Sequence, residues 1–217
     1  MKPLTSARLY TFVDTAYLHG RDPAEVAHQL CAGGSDLIQL RAKNAPLEEV
    51  RRLAEAVLPV CERAGVAFVL NDHPKLALQL GAPVCHLGQE DFFDAGFRTA
   101  AQVTGCPPQM QLGLSTHTPD QAQRALRAAP DYLAIGPVFP TGTKPGRPAV
   151  TLDYVRWAAA NVTLPWFAIG GINLDTLDSV LAAGARRICV VSAILNAPDI
   201  AAACRAFRER IERHALR

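Results

Sequence analysis

Three polar side chains stand at every second position of one short segment, at Gln39, Arg41 and Lys43. If this segment is a strand, side chains two residues apart share a face, so an amide and two cations point the same way. Cations and amide donors placed together in this way can bind an anionic group such as a phosphate. A layer of structural salt bridges is the alternative interpretation.

Acidic residues follow the next two apolar segments. Asn71 and Asp72 come directly after residues 67–70, and Asp91 lies shortly after residues 84–87. Neighbouring parallel strands are about 4.8 Å apart, so two such carboxylates can reach one ion. Taken singly, each acid has a simpler explanation, Asp72 as a helix cap and Asp91 as a solvated side chain.

An anion site next to two acids requires a cation between them. A carboxylate about 4 Å from a phosphate oxygen costs roughly 4 kcal/mol at an effective dielectric constant near 20. Mg²⁺ removes this conflict, because it is commonly held by one or two carboxylates together with phosphate oxygens and water. We therefore infer Mg²⁺ and a diphosphate rather than a single phosphate.

Residues 136–144 form a loop of unusual composition, Gly-Pro-Val-Phe-Pro-Thr-Gly-Thr-Lys, directly after an apolar run. The prolines fix φ, and the glycines allow the backbone to approach a ligand closely. Thr141, Thr143 and Lys144 supply hydroxyl donors and a positive charge. We predict that this loop binds an oxyanion.

Two further segments predict a second anion site. Gly170 and Gly171 follow the seventh apolar run, and Val191 and Ser192 end the eighth. In α/β barrels these two loops often form a phosphate pocket from backbone N–H groups. A Gly-Gly pair alone is equally well explained by a tight turn.

Three other side chains fall near the same strand ends. Ser115 is predicted to contribute a hydroxyl, and His117 could contribute an imidazole. His86 is predicted to be a hydrogen-bonded core histidine, because no second histidine or cysteine stands at the spacing of a metal site.

The elements that position these residues are predicted from eight short apolar runs that alternate with amphipathic stretches. Helix starts are marked by Asp22-Pro23, Thr118-Pro119 and His73-Pro74, with Asn173 and Thr151 as further caps. The pattern predicts an α/β protein, a single-domain (β/α)₈ barrel over residues 1–217, with an open doubly wound sheet as the alternative. The predicted strands are residues 9–13, 37–41, 67–70, 84–87, 111–114, 132–135, 166–169 and 188–191.

Composition, net charge and the absence of certain motifs exclude several classes of protein. The chain of 217 residues is 49% hydrophobic with a formal charge of +2, too weak to indicate a nucleic-acid partner. It has no apolar run long enough for a membrane span and no P-loop, dinucleotide, elbow-serine or zincin motif. The six cysteines include no C-x-x-C pair and are predicted to be reduced. We expect a cytoplasmic protein with small-molecule substrates, and a homo-oligomer is left open.

Seven segments together resemble the thiamine phosphate synthase family, in the family's order and at compatible spacing. The resemblance covers nearly the whole chain. It implies a (β/α)₈ barrel that joins a hydroxymethylpyrimidine diphosphate to a thiazole phosphate and releases pyrophosphate. The segments are residues 39–43, 71–72, 86–91, 113–117, 136–144, 168–172 and 191–194.

The resemblance also implies a role for individual residues. Asp72 and Asp91 would bind Mg²⁺. The catalytic group would be Arg41, Lys43, Ser115 and Lys144. The pyrimidine diphosphate would be held by Gln39, Arg41, Lys43, Asn71, Ser115 and Lys144. The thiazole phosphate would be held by Thr141, Thr143, Gly171, Val191 and Ser192.

Two other functions compete with this one. A related thiazole tautomerase would use the same barrel without a diphosphate site, and His117 beside Ser115 is the feature that keeps it open. A non-catalytic sensor of phosphate ligands would need no pair of acids. The synthase is favoured by the presence of Arg41, Lys43, Asp72, Asp91 and Lys144.

Overall fold

The computed structural model describes residues 3–141 and 149–216. Within these residues, eight parallel strands close into a barrel in sequence order, with β1 hydrogen-bonded to both β2 and β8. The strands are β1 Leu9–Asp14, β2 Leu37–Arg41, β3 Ala67–Asn71, β4 Val84–Gly88, β5 Gln111–Thr116, β6 Tyr132–Ile135, β7 Trp166–Ile169 and β8 Ile188–Cys189. The predicted (β/α)₈ barrel is therefore confirmed, and the open sheet is excluded.

Helices follow the strands and cover the outside of the barrel. Their bounds are α1 Pro23–Ala32, α2 Leu47–Ala64, α3 Pro74–Leu80, α4 Gln89–Asp94, α5 Ala101–Thr104, α6 Pro119–Arg127, α7 Thr151–Asn161, α8 Leu177–Ala182, α9 Ser192–Leu195 and α10 Ile200–Ala215. The buried faces of α2 and α10 are apolar, and their other faces carry charged side chains in water, as expected for helices that pack on a sheet.

Two of the five predicted helix caps, Asp22 and Thr118, are formed by side-chain hydrogen bonds. Asp22 accepts from the backbone N–H groups of Ala24 and Glu25 at 2.6 and 3.2 Å. Thr118 accepts from the N–H of Gln121 at 3.2 Å. These side chains satisfy donors that the first turn of a helix leaves unpaired. The helix after His73 begins at Pro74 as predicted, but it has no side-chain cap. The predicted caps Thr151 and Asn173 are wrong, because α7 is preceded by Val150 and α8 by Thr176, and neither helix has a side-chain cap.

One buried carboxylate ties the last helix to the first two strands. Asp36, 4% exposed, accepts from the backbone N–H groups of Arg8 and Leu9 at 2.7 and 3.2 Å. Its other oxygen accepts from the Arg208 guanidinium on α10 at 3.0 Å. These contacts anchor α10 at the amino-terminal ends of β1 and β2, the end of the barrel opposite to the one where ligand sites form in this fold.

All six cysteines are free thiols, in agreement with the prediction that they are reduced. No helix among the described residues is long and apolar enough to cross a membrane. The cytoplasmic location and the single domain stay predictions.

Candidate active site at the carboxyl ends of the strands

The alternation of side chains along β1 and β2 sets the wall of the site. Strand register places Phe12 beside Gln39 and Asp14 beside Arg41. Tyr10, Phe12, Gln39 and Arg41 all line one cavity, because residues two apart on a strand face the same side. The predicted face of β2 is thus confirmed for Gln39 and Arg41, whereas Lys43 lies beyond the end of the strand. The matching face of β1 was missed by the sequence analysis.

Two adjoining cavities open at this end of the barrel. We call them the inner cavity and the outer cavity. The inner cavity lies over the barrel interior, and the outer cavity lies over the ends of β3 and β4. The described residues that line both are Arg41, Asn71, His86, Ser115 and His117. The two cavities therefore adjoin at the ends of β2, β3, β4 and β5.

The outer cavity contains the charged residues that were predicted from the sequence. Lys43, Asp72 and Asp91 line it, together with Glu90, which the sequence analysis did not select. Lys43 donates a short hydrogen bond to Asp72, and this ion pair fixes the carboxylate at the cavity wall. Asp72 therefore pairs with a cation and does not cap α3, which has no side-chain cap.

Local backbone geometry places the two acids. The N–H of Asp72 donates to the carbonyl of His86 at 2.9 Å, which holds the end of β3 against β4. Asp91 lies in the first turn of α4, and its carboxylate lies next to Gly88. A Cβ atom at Gly88 would approach Oδ2 of Asp91 to 2.6 Å, so a larger residue would displace the carboxylate. Glycine at this strand end makes room for the acid.

The inner cavity has a more apolar wall and holds the second predicted group. Thr141, Gly171, Val191 and Ser192 of the predicted thiazole phosphate set line it, along with the apolar side chains of Ile169 and Ile172. Gln39, which was predicted for the pyrimidine diphosphate, lines it as well. Gln39 thus lies apart from the outer cavity and its acids. Thr143 and Lys144, predicted for the thiazole phosphate and the pyrimidine diphosphate, lie outside the described residues.

A chain of hydrogen bonds crosses the floor of the inner cavity. The Gln39 amide donates to the Tyr10 hydroxyl at 2.5 Å, the Tyr10 and Tyr132 hydroxyls are 3.0 Å apart, and Tyr132 lies 2.9 Å from Nδ1 of His86. His86 is a buried, hydrogen-bonded histidine, as predicted. Burial raises the pKa of both Tyr10 and Tyr132 well above the ordinary value, so these hydroxyls stay neutral.

Loops after β6 and β7 form the rim of the inner cavity. The N–H of Val138 donates to the carbonyl of Ile169 at 2.9 Å, and the N–H of Phe139 donates to that of Gly170 at 3.0 Å. His117 reaches the same rim, where its Nδ1 lies 2.5 Å from the carbonyl oxygen of Gly136. Since that oxygen can only accept, Nδ1 carries the proton. His117 therefore links the end of β5 to Gly136, directly after β6.

The fold and the site together define the class of protein. It is a (β/α)₈ barrel whose ligand site has two touching compartments, one charged and one largely apolar, at the carboxyl ends of the strands. Such a site is suited to holding two small molecules side by side, with an anionic group of one in the charged compartment.

Comparison with known proteins identifies the family. The family model described as thiamine monophosphate synthase matches residues 9–194. A thiamine-phosphate synthase from Thermus thermophilus is 52% identical over 181 residues, which cover 83% of this chain and 84% of that protein. One from Acidothermus cellulolyticus is 45% identical over 210 residues and 96% of each protein. The solved structure of a thiamine phosphate pyrophosphorylase from Pyrococcus furiosus superimposes with a TM-score of 0.83 at 27% identity, over 98% of this chain and 99% of that one.

The chain belongs to the thiamine monophosphate synthase family. The resemblance drawn from seven sequence segments is confirmed. Neither the tautomerase nor the phosphate sensor receives support from these relatives.

Proposed function

We propose that this chain catalyses the condensation of hydroxymethylpyrimidine diphosphate with a thiazole phosphate, or its carboxylated form, to give thiamine phosphate and pyrophosphate. The observation that carries the proposal is the shared wall between the two cavities, formed around Arg41, Asn71 and Ser115. A reaction that joins two molecules needs both held in contact, and such positioning accounts for a large part of rate enhancement.

The charges of the outer cavity support its assignment to the diphosphate. Arg41 and Lys43 supply two cations, and Asn71 and Ser115 supply neutral hydrogen-bond donors at the shared wall. The pyrimidine ring would extend towards Gln39, with Lys144 as a further cation of the diphosphate site. The thiazole phosphate would lie against the rim at Gly171 and Ser192, and Thr141, Thr143 and Val191 complete this proposed set.

Asp72 and Asp91 fit Mg²⁺. Both line the outer cavity, both offer hard oxygen ligands, and a diphosphate would complete a coordination sphere that needs few protein ligands. When bound, Mg²⁺ would neutralise negative charge on the diphosphate. No cluster of three or more His, Cys, Asp or Glu side chains suited to a metal occurs in the part of the chain that is described. In the proposed site, phosphate oxygens and water would supply the remaining ligands.

The reaction would be a dissociative substitution. The bond between the methylene carbon and the diphosphate oxygen breaks, and its electron pair leaves with the diphosphate. The thiazole nitrogen then donates its lone pair to the methylene cation. Arg41 and Lys43 would stabilise the charge that develops on the leaving group, and the apolar wall of the inner cavity would keep water from the cation.

The first prediction concerns the two acids. Asp72→Asn and Asp91→Asn should each lower kcat by about 100-fold or more, because losing a carboxylate weakens the cation site that opposes the diphosphate charge. Both variants should melt close to the wild type, since Asp72 is partly exposed and Asp91 is exposed. Steady-state rates across a Mg²⁺ titration and thermal melting are the measurements.

Asp94→Asn is the matched control, because Asp94 is an exposed acid at the other end of the same short helix. It should keep the wild-type rate and Mg²⁺ dependence. Wild-type rates in both Asp72→Asn and Asp91→Asn would contradict the metal assignment.

The function itself is tested by mixing the purified protein with both phosphorylated substrates, with and without Mg²⁺, and assaying pyrophosphate and thiamine phosphate. Both products should appear only when both substrates and Mg²⁺ are present. If no product forms under any condition, the proposed condensation is wrong.

A further inference from the structure

Asp14 is a buried acid at the end of β1 for which the sequence analysis assigned no role. Its side chain is 1% exposed. One carboxylate oxygen accepts from Nη1 of Arg41 at 2.8 Å, and the other accepts from the backbone N–H of Ala16 at 3.0 Å. Because each oxygen has its own partner, the carboxylate is held in a single orientation.

This contact reaches the site through Arg41. Asp14 and Arg41 are direct neighbours in the register of β1 and β2, and Arg41 is part of the wall that both cavities share. A guanidinium is planar, so a hydrogen bond at Nη1 to a fixed acceptor restricts the direction of its remaining N–H groups.

Arg41 also has competing partners nearby. Asp72, Glu90 and Asp91 line the outer cavity with it. A long cationic side chain without a fixed contact would be drawn to such acids, and there it would oppose the binding of Mg²⁺ and lose its contact with a phosphate. The pairing with Asp14 holds Arg41 at the shared wall.

We propose that Asp14 is a positioning residue that holds the Arg41 guanidinium in the orientation that contacts the leaving diphosphate. This inference rests on the proposed function, because it requires a diphosphate in the outer cavity. Asp14 itself lies behind Arg41 and is assigned no contact with the substrate.

Two other roles for Asp14 give different outcomes. If Asp14 only offset the charge of Arg41, removing its charge would strengthen the binding of a diphosphate, because Arg41 would carry an undiminished positive charge. If Asp14 only stabilised the fold, diphosphate binding by the folded protein would not change. Positioning alone predicts weaker binding.

The test is calorimetric titration of inorganic pyrophosphate, in the presence of Mg²⁺, into the wild type and Asp14→Asn. Asparagine matches the shape of aspartate, and its oxygen can still accept from Ala16, whereas the charge opposite Arg41 is lost. We expect the pyrophosphate Kd to rise by roughly 10- to 100-fold. In steady-state assays the KM for the pyrimidine diphosphate should rise while that for the thiazole phosphate stays within about twofold.

A double-mutant cycle with Arg41→Ala shows whether Asp14 acts through Arg41. Adding Asp14→Asn to Arg41→Ala should cause little further loss of pyrophosphate binding. Equal losses in both backgrounds would overturn the inference, as would unchanged or tighter pyrophosphate binding by Asp14→Asn.

Asp14→Glu provides a second variant in case Asp14→Asn does not fold. It keeps the charge but moves the carboxylate by one methylene group, so it should also weaken pyrophosphate binding, and binding equal to the wild type would overturn the inference. A wild-type protein that binds no pyrophosphate would instead contradict the proposed diphosphate site, so the two failures can be told apart.

Discussion

The hydroxyl of Tyr132 holds the centre of the hydrogen-bond chain at the floor of the inner cavity. It lies between the Tyr10 hydroxyl and Nδ1 of His86, and the Gln39 amide joins the chain through Tyr10. Gly113 makes room for its ring, since a Cβ atom there would lie 2.0 Å from Cζ of Tyr132. Each polar group at the floor is thus fixed by its neighbours before any ligand binds.

Tyr132→Phe should lower the free energy of unfolding by about 1–3 kcal/mol, because Tyr10 and His86 each lose a buried partner. Chemical denaturation of the wild type and the variant is the measurement. Tyr10→Phe and the double variant complete a cycle, in which the two effects should add to more than the double variant loses. If Tyr132→Phe were as stable as the wild type, this chain of hydrogen bonds would contribute nothing to the free energy of unfolding.

At the scale of elements, the loops after β6 and β7 behave as one packed unit. Gly136 lies so close to β7 that a Cβ atom there would come within 2.1 Å of the Ile169 carbonyl oxygen. Gly170 has φ +104, and a Cβ atom on it would lie 2.4 Å from Cβ of Pro137. Glycine is therefore required on both sides of this contact, which forms the rim at Thr141.

Gly170→Ala should push these two loops apart. We expect the KM for the thiazole phosphate to rise more than the KM for the pyrimidine diphosphate, with a loss of about 1–3 kcal/mol in unfolding free energy. Gly81→Ala is the control, because Gly81 also has a positive φ, +67, but nothing within 4 Å of a Cβ atom. It should lose some stability and leave both KM values unchanged. Equal KM effects in the two variants would contradict the packing argument.

The elements themselves could be predicted from the sequence because their signals are local. The apolar runs predicted both ends of every strand to within two residues. The Asp-Pro and Thr-Pro pairs predicted the starts of α1 and α6. In β8 the regular strand ends at Cys189, since Val191 adopts φ −115 and ψ −87 and turns the chain into α9.

The residues that sequence reasoning missed depend on distant contacts. Tyr10 and Tyr132 meet across 122 positions, and Asp14 meets Arg41 across 27. The alternation of Tyr10, Phe12 and Asp14 along β1 was a usable signal, because it matches the pattern that selected Gln39 and Arg41 on β2. Two of these three residues resemble ordinary core positions, however, so the alternation alone did not distinguish a site wall from the core until the register of the two strands was known.

For the molecule as a whole, closure of the barrel buries tyrosines that must remain protonated. Burial raises the pKa of Tyr154 to about 12, against the effect of its hydrogen bond with Thr116, and burial also raises the pKa of Tyr10 and Tyr132 well above the ordinary value. In the unfolded chain tyrosine ionises near pH 10, at about its reference value. Above that pH the unfolded state releases protons that the folded state retains, so ionisation favours unfolding.

The stability contributed by these groups is therefore complete below about pH 10 and is lost as the pH rises towards their folded pKa values. Each buried tyrosine should lower the free energy of unfolding by up to about 1.4 kcal/mol per pH unit above 10. Buried thiols such as Cys85, whose pKa is raised to about 12, add to the decline. Tyr154→Phe isolates the tyrosine contribution: in urea denaturation from pH 9 to 11.5, its stability should fall less steeply than that of the wild type above pH 10. Parallel curves would mean that Tyr154 ionises in the folded protein as readily as in the unfolded chain.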